Sequence, residues 1–362
     1  MSSGMALTGD TVLRVENLHV WFPLRRSLTE IIKRMGRRYV RAVDGVSFSL
    51  REGEILCLVG ESGCGKTTTG KAVMGLVKAT KGSIYFRPSP KLGKLLEEQG
   101  VRIENGFVDI ARLSKRLLRI VRRELQLVYQ DPYSSLNPRF TIRYILEEPL
   151  IIHRVGDEET RLKMVTKMLE AVRLTPVEDF LERYPHELSG GQRQRVAIAK
   201  AFILNPRVVV ADEPVSMLDV SIRAEILELL LELKKRYNTA MIFITHDLAV
   251  ARYICDRIAV MYLGKIVEMG PAIKVIEEPL HPYTRALVSA IPEPNPENRK
   301  RFREVPIKGE VPSAVNIPAG CRFRPRCVAY DKNASVRPQC EAEDPPMVEV
   351  EPERYVACWL YT

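Results

Sequence analysis

Residues 55–68 read ILCLVGESGCGKTT, an apolar run that breaks without a linker into glycines. Five consecutive apolar residues, Ile55–Val59, suit a strand buried on both faces of a parallel sheet. The octet that follows, Gly60, Glu61, Ser62, Gly63, Cys64, Gly65, Lys66 and Thr67, fits G-x-x-x-x-G-K-[ST] at every position. Small residues let the backbone curl until several N–H groups face phosphate oxygens. A helix opening near Lys66 and Thr68 adds the positive end of its dipole. Lys66 then reaches the β- and γ-phosphates of ATP, and the Thr67 hydroxyl ligates Mg²⁺. A glycine-rich turn with an incidental lysine is the plainer alternative. The strand before the glycines and the helical pattern over 68–77 argue against it. Cys64 sits inside the loop, either as a small filler or as a reactive thiol.

Outward from this loop, the chain of 362 residues exceeds one average domain and predicts one large domain with an extension. Its 55 Lys and Arg against 45 Asp and Glu leave a net charge of +10, which suits anionic partners without selecting one. No apolar run approaches the roughly 20 residues of a membrane-spanning helix. The first ten residues lack the layout of a secretory signal, so the chain is expected to be cytosolic or peripheral to a membrane. Strands are predicted over 11–20, 42–50, 208–211 and 241–245, with helices over 161–173 and 222–237. Strand, helix, strand with short links implies a right-handed crossover and a parallel sheet. Residues 23–41 and 87–123 read as charged insertions poor in core residues, and from about residue 264 a proline-dense tail reads as a separate module.

Two further motifs bear on the chemistry. In VVVADEP, 208–214, Asp212 and Glu213 leave a buried strand at the edge where ligands of such sheets sit. Asp212 would hold Mg²⁺ through water, and Glu213 would orient or deprotonate the attacking water. Paired acids after a strand are also a common polar loop. About twenty residues upstream, Leu188, Ser189, Gly190, Gly191 and Gln192 form another anion-binding helix start, or merely a serine–glycine cap.

Together these motifs resemble the ATPase subunit of an ATP-binding-cassette (ABC) transporter, and LSGGQ is similar to that family's signature. The resemblance implies that the signature completes the ATP site of an opposing subunit. It also implies roles for four more residues. Gln130, in LVYQDP, matches the glutamine that senses Mg²⁺ and the attacking water and faces the transmembrane partner. Asp219, in SMLDVS, matches the aspartate that communicates across the dimer, and His246, in ITHD, the switch histidine on the γ-phosphate. Phe22 falls where the family stacks an aromatic on adenine, with Trp21 and Tyr39 as rivals.

The implied fold is α/β: a P-loop nucleotide-binding domain over 1–263 with a parallel-sheet core, an antiparallel β subdomain and a helical subdomain at about 138–205. A C-terminal extension over 264–362 carries a small Cys-rich module. QDPYSSLNPR, 130–139, and HPYT, 281–284, narrow the resemblance to the oligopeptide/dipeptide-permease class. Met217 departs from it, where that class has a small residue, and 87–123 is longer than usual. The implied partners are a second ATPase subunit, two transmembrane permease subunits and an extracytoplasmic solute-binding protein, at the cytoplasmic face of the cell membrane. The cargo implied is peptide, with oligosaccharide as the alternative. A soluble cassette ATPase of DNA repair or translation would bring a coiled-coil insertion or a second cassette, and neither pattern is present. An inactive regulatory subunit is opposed by the intact Lys66, Asp212, Glu213 and His246.

Seven cysteines in such a protein are expected as free thiols or metal ligands rather than disulfides. Cys57 and Cys255 read as core residues. Cys321, Cys327, Cys340 and Cys358 follow C-x5-C-x12-C-x17-C, which is not a zinc-ribbon spacing. Spacing leaves zinc, a four-iron cluster and unliganded thiols open. The resemblance of 309–327 to the cysteine-bearing end of some peptide-permease ATPases implies a [4Fe–4S] cluster. The basic run of Arg25, Arg26, Lys33, Arg34, Arg37, Arg38 and Arg41 either meets acidic lipid or a transmembrane subunit, or is solvated. That run and a second over 112–123 lack the aromatic interleaving of a nucleic-acid site, so no nucleic-acid partner is expected.

Overall fold

The computed structural model describes residues 10–26, 36–291 and 305–362. Lys33 and Arg34 of the basic run lie outside them. Among the described residues, twelve strands follow in order: β1 (Thr11–Pro23), β2 (Tyr39–Arg51), β3 (Ile55–Val59), β4 (Lys81–Phe86), β5 (Val108–Asp109), β6 (Leu125–Val128), β7 (Val208–Asp212), β8 (Ala240–Thr245), β9 (Arg257–Tyr262), β10 (Lys265–Pro271), β11 (Val348–Glu351) and β12 (Arg354–Val356). They form a four-stranded sheet, β2-β1-β4-β5, and an eight-stranded one, β11-β12-β10-β9-β3-β8-β7-β6. The small sheet is antiparallel throughout. In the large one β9, β3, β8, β7 and β6 run parallel.

The apolar run Ile55–Val59 lies second in the parallel part, and its side chains divide by the two-residue strand period. Leu56 and Leu58 enter a core shared with Val15, Leu18, Val46 and Phe48 of the small sheet. Ile55, Cys57 and Val59 enter the opposite core, beneath the helices. Each of the five is fully buried. At about 1.5–3 kcal/mol per large aliphatic side chain, this strand anchors both layers. The helical layer comprises Ile142–Ile152, Glu158–Ala171 and Gly190–Phe202. Thr141, Asp157 and Ser189 cap these helices by accepting backbone N–H bonds.

Three expectations need correction. Residues 87–123 are not core-poor: they form helices Pro90–Glu98 and Lys115–Val121, which bury Leu92, Leu96, Leu118 and Val121 against the small sheet. A handful of apolar positions suffices because the segment only covers a sheet edge. Nor does the tail stand apart. Residues 263 and 264 form the turn between β9 and β10, and the β11–β12 hairpin extends the same sheet by pairing Val356 with Glu268. Finally, Cys57 and Cys255 are joined by a disulfide, Cα to Cα 5.9 Å, with Cys255 directly after the helix Leu248–Ile254. That helix packs over β3, which brings together two thiols 198 residues apart. The other five cysteines are free.

Candidate active site

Four loops converge because four strands run parallel. Val59 lies level with Thr245, Ile244 with Asp212, and Ala211 with Val128, so the C-terminal ends of β3, β8, β7 and β6 share one edge. Whatever follows each strand becomes a neighbour in space: the glycine loop, His246, Glu213 and Gln130.

The loop needs its glycines. Gly60 and Gly65 adopt φ of 148° and 111°. A Cβ on the first would collide with the Met261 carbonyl oxygen, and one on the second with that of Ala42. The helix Lys66–Val73 starts at the lysine itself. Lys66 Nζ donates to the carbonyls of Gly60 at 2.7 Å and Glu61 at 3.0 Å, which curls the ammonium over the loop. Cys64 is buried under it, and burial pushes its thiol pKa up despite the nearby lysine, as befits a filler rather than a nucleophile.

Thr67 Oγ1 donates to Asp212 Oδ1 at 2.9 Å, tying the loop to the end of β7. Burial raises the Asp212 pKa, and the Thr67 hydrogen bond only partly opposes it. A cation here would favour the carboxylate again, so the donor set fits Mg²⁺. Thr67, Asp212 and Gln130 would hold the ion, which offsets phosphate charge when bound.

Glu213 turns through a left-handed φ of 46°, and its N–H donates to Ile244 at 3.0 Å. A non-glycine residue held there is strained, and the strain aims its carboxylate into the site. Glu213 Oε2 accepts from Gln130 Nε2 at 3.3 Å and lies 3.2 Å from His246 Nδ1. A cavity of about 470 Å³ is lined by Ala42, Ser62, Gly63, Gly65, Lys66, Thr67, Thr68, Gln130, Glu213 and His246. Gly60, Cys64 and Asp212 sit outside that lining.

The signature lies elsewhere. Ser189 Oγ accepts from the Gln192 N–H at 3.3 Å, and the Gln192 side chain accepts from Ser189 N–H at 3.0 Å. This reciprocal box caps the helix Gly190–Phe202. Gly191 presses on Ile222, with no room for a side chain. None of the signature residues lines the loop's cavity. Asp219 precedes the helix Val220–Tyr237 without capping it, flanked by the exposed Met217 and Val220.

Phe22, near the end of β1, pairs with Val40 and is 41% exposed. Trp21 is engaged: its Nε1–H donates to Asp44 at 2.9 Å and Arg41 stacks over its ring. Neither these two nor Tyr39 lines the phosphate cavity. One contact was not legible in the motifs. Arg193, just after the signature, lies over the Tyr133 ring at 4.1 Å, joining the signature helix to the segment after Gln130. Beside that segment, a groove of about 480 Å³ runs between Leu76, Tyr129, Ile152 and Lys200.

Cys321, Cys327, Cys340 and Cys358 all line one small cavity with Phe323 and Trp359. Burial raises every one of these thiols, Cys321 to about 12 and Cys358 to about 11, so they are protonated unless a cation shares the space. Among the described residues, no group of three or more His, Cys, Asp or Glu is arranged to hold a metal ion. No described helix is long and apolar enough to cross a membrane.

Comparison with known proteins agrees with this geometry. The family model "ABC transporter" matches residues 43–216, and "Oligopeptide/dipeptide transporter, C-terminal region" matches 267–332. The chain is 46% identical to the putative oligopeptide transport ATP-binding protein YkfD of Bacillus subtilis (strain 168), over 90% of this chain and 91% of that one. It is 42% identical to the oligopeptide transport ATP-binding protein AppF of the same organism, over 99% of both. Among solved structures, the ATP-binding cassette MJ0796, a dimer in a post-hydrolysis state bound to ADP and Pi, is 27% identical with a TM-score of 0.56. That match covers 72% of this chain and 98% of the cassette. The chain therefore belongs to the ATP-hydrolysing subunits of ABC transporters, in the oligopeptide/dipeptide transporter class.

Proposed function

We propose that the chain powers the import of oligopeptides or dipeptides by hydrolysing MgATP at the cytoplasmic face of the cell membrane. The observation that carries the chemistry is the meeting of Gln130, Glu213 and His246 around one carboxylate at the mouth of the phosphate loop. Glu213 positions and deprotonates the attacking water, while Gln130 and His246 hold its carboxylate in line. Lys66 and the loop N–H groups bind the phosphates, and Phe22 stacks on adenine.

The site is half of a composite one. Ser189, Gly190, Gly191 and Gln192 cap a helix away from this chain's own cavity and so serve the loop of a second ATPase subunit, with Asp219 beside them. The groove next to Gln130 takes a helix of a transmembrane permease subunit, so that closure of the pair moves the permease. An extracytoplasmic solute-binding protein delivers the cargo. The peptide assignment rests on the names of the relatives and on the matched C-terminal region. Reconstituted with permease and binding-protein partners identified by co-purification, the ATPase should accelerate several-fold on addition of peptide. Acceleration by an oligosaccharide alone would replace the cargo.

A four-iron cluster, with zinc as the alternative, rests on the resemblance of 309–327 to cysteine-bearing peptide-permease ends and on the four cysteines lining one cavity. Its role is structural, in a segment with little core of its own. Purified anaerobically, the chain should contain about four irons and absorb near 400 nm. Colourless, iron-free protein would refute the cluster.

A further inference from the structure

The sequence CRFRPRC, 321–327, places three arginines between two of the tail cysteines. Two of the three leave the tail and grip the nucleotide domain. Arg322 donates to Asp344 at 2.9 Å and to the Leu263 carbonyl at 2.8 Å, and pairs with the buried Asp44. Arg326, itself buried, reaches the phosphate loop. Its Nη1 and Nη2 donate to the two carboxylate oxygens of Glu61, at 2.7 and 3.0 Å. Phe323 between them is 2% exposed and packs on Tyr262 and Tyr283. Tyr283, from the HPYT motif, adds a second hold, its hydroxyl accepting the Glu61 backbone N–H at 2.9 Å.

Glu61 is the second residue of a loop built to bind a triphosphate. A free carboxylate there would repel the ligand, and a free backbone there would leave the loop less ordered. A two-pronged guanidinium–carboxylate pair removes both costs, because it neutralises the charge and fixes its direction. The fork comes from the residue next to Cys327. The order of the cysteine segment is thereby connected to the phosphate loop by one side chain.

We propose that Arg326 is a positioning residue for ATP: through its fork on Glu61, the cysteine segment sets the affinity of the phosphate loop for MgATP. The proposal rests on the nucleotide reading of that loop. It requires no particular occupant of the cysteine cavity.

The test is titration of the purified full chain with a fluorescent ATP analogue in the presence of Mg²⁺. Arg326→Ala should raise Kd about tenfold, within the range of ordinary site-to-site coupling. Arg326→Lys, which keeps charge and stem but loses the fork, should raise it about threefold, and serves if the alanine variant does not fold. Glu61→Ala with Arg326→Ala should bind no more weakly than Arg326→Ala alone, since the arginine acts through that carboxylate. In the assembled transporter, Arg326→Ala should raise KM for ATP and leave kcat within twofold, a split that general loosening of the tail would not produce. Parental Kd in both Arg326 variants, or losses from Glu61 and Arg326 that simply add, would overturn the proposal. A parent chain that binds no ATP analogue would instead sink the nucleotide reading beneath it.

Discussion

Glu213→Gln should lower ATP turnover of the assembled transporter at least a hundredfold while leaving MgATP binding close to that of the parent. The substitution removes the proton acceptor but keeps size and shape, and a positioned general base contributes about 10²–10⁴-fold. At about 1.4 kcal/mol per tenfold, that is roughly 3–5 kcal/mol of barrier. Gln130 and His246 should stay in place, because both contact the Oε2 position through hydrogen bonds that an amide can partly keep. Steady-state phosphate release gives the rate, and equilibrium binding of labelled ATP gives the affinity. Turnover unchanged by the substitution would remove Glu213 from the chemistry. A parallel collapse of binding would make it a structural residue.

The second large effect is on stability. Glu268 on β10 is fully buried, and burial raises its pKa against the partners that favour its charge. Its oxygens accept the backbone N–H groups of Leu280 at 3.0 Å and His281 at 2.8 Å, and Arg354 of β12, 1% exposed, lies 3.7 Å away. Arg354 in turn donates to the Lys274 and Glu278 carbonyls. This one carboxylate joins the C-terminal hairpin, the start of HPYT and the sheet edge. Glu268→Leu leaves two buried N–H groups without their acceptor and takes from the buried Arg354 its fully buried carboxylate neighbour. Breaking a buried pair from one side costs about 3–5 kcal/mol, read as a loss of unfolding free energy in denaturant. Glu268→Gln, which retains one acceptor oxygen, should lose less. If the leucine variant were as stable as the parent, the hairpin would be an ornament on the sheet rather than part of it.

How much of this was legible follows from distance along the chain. The phosphate loop and Asp212 with Glu213 lie at the ends of apolar strands, so local pattern places them at one sheet edge, whereas the role of His246 comes from the resemblance of ITHD to the family's motif. The helix start at Ser189 and the following glycines is equally local, although the reciprocal bond from Gln192 emerges only in the structure. The parallel sheet follows from those strands and the helices between them, and the subdomain layout from the family resemblance. What stayed hidden depends on long-range pairing. Cys57 and Cys255 are 198 residues apart and looked like ordinary core positions. Arg322 and Arg326 read as charge in a proline-rich tail, because their partners Asp44 and Glu61 lie at the other end of the chain. Residues 87–123 misled for a different reason: average polarity there conceals a few buried side chains such as Leu96 and Val121. Composition averages; packing does not.

The proposed completion of the phosphate loop by another subunit's signature is open to direct test. The most direct measurement is the sedimentation mass of the Glu213→Gln chain, mixed with its companion ATPase subunit, with saturating MgATP and with MgADP. Because this variant binds ATP without cleaving it, the closed pair should persist. The mass with MgATP should be that of a two-subunit particle, and with MgADP that of separate chains. Separate chains in both nucleotides, with ATP binding demonstrated in the same sample, would mean that the loop binds ATP without a second subunit closing over it, and would overturn the composite site.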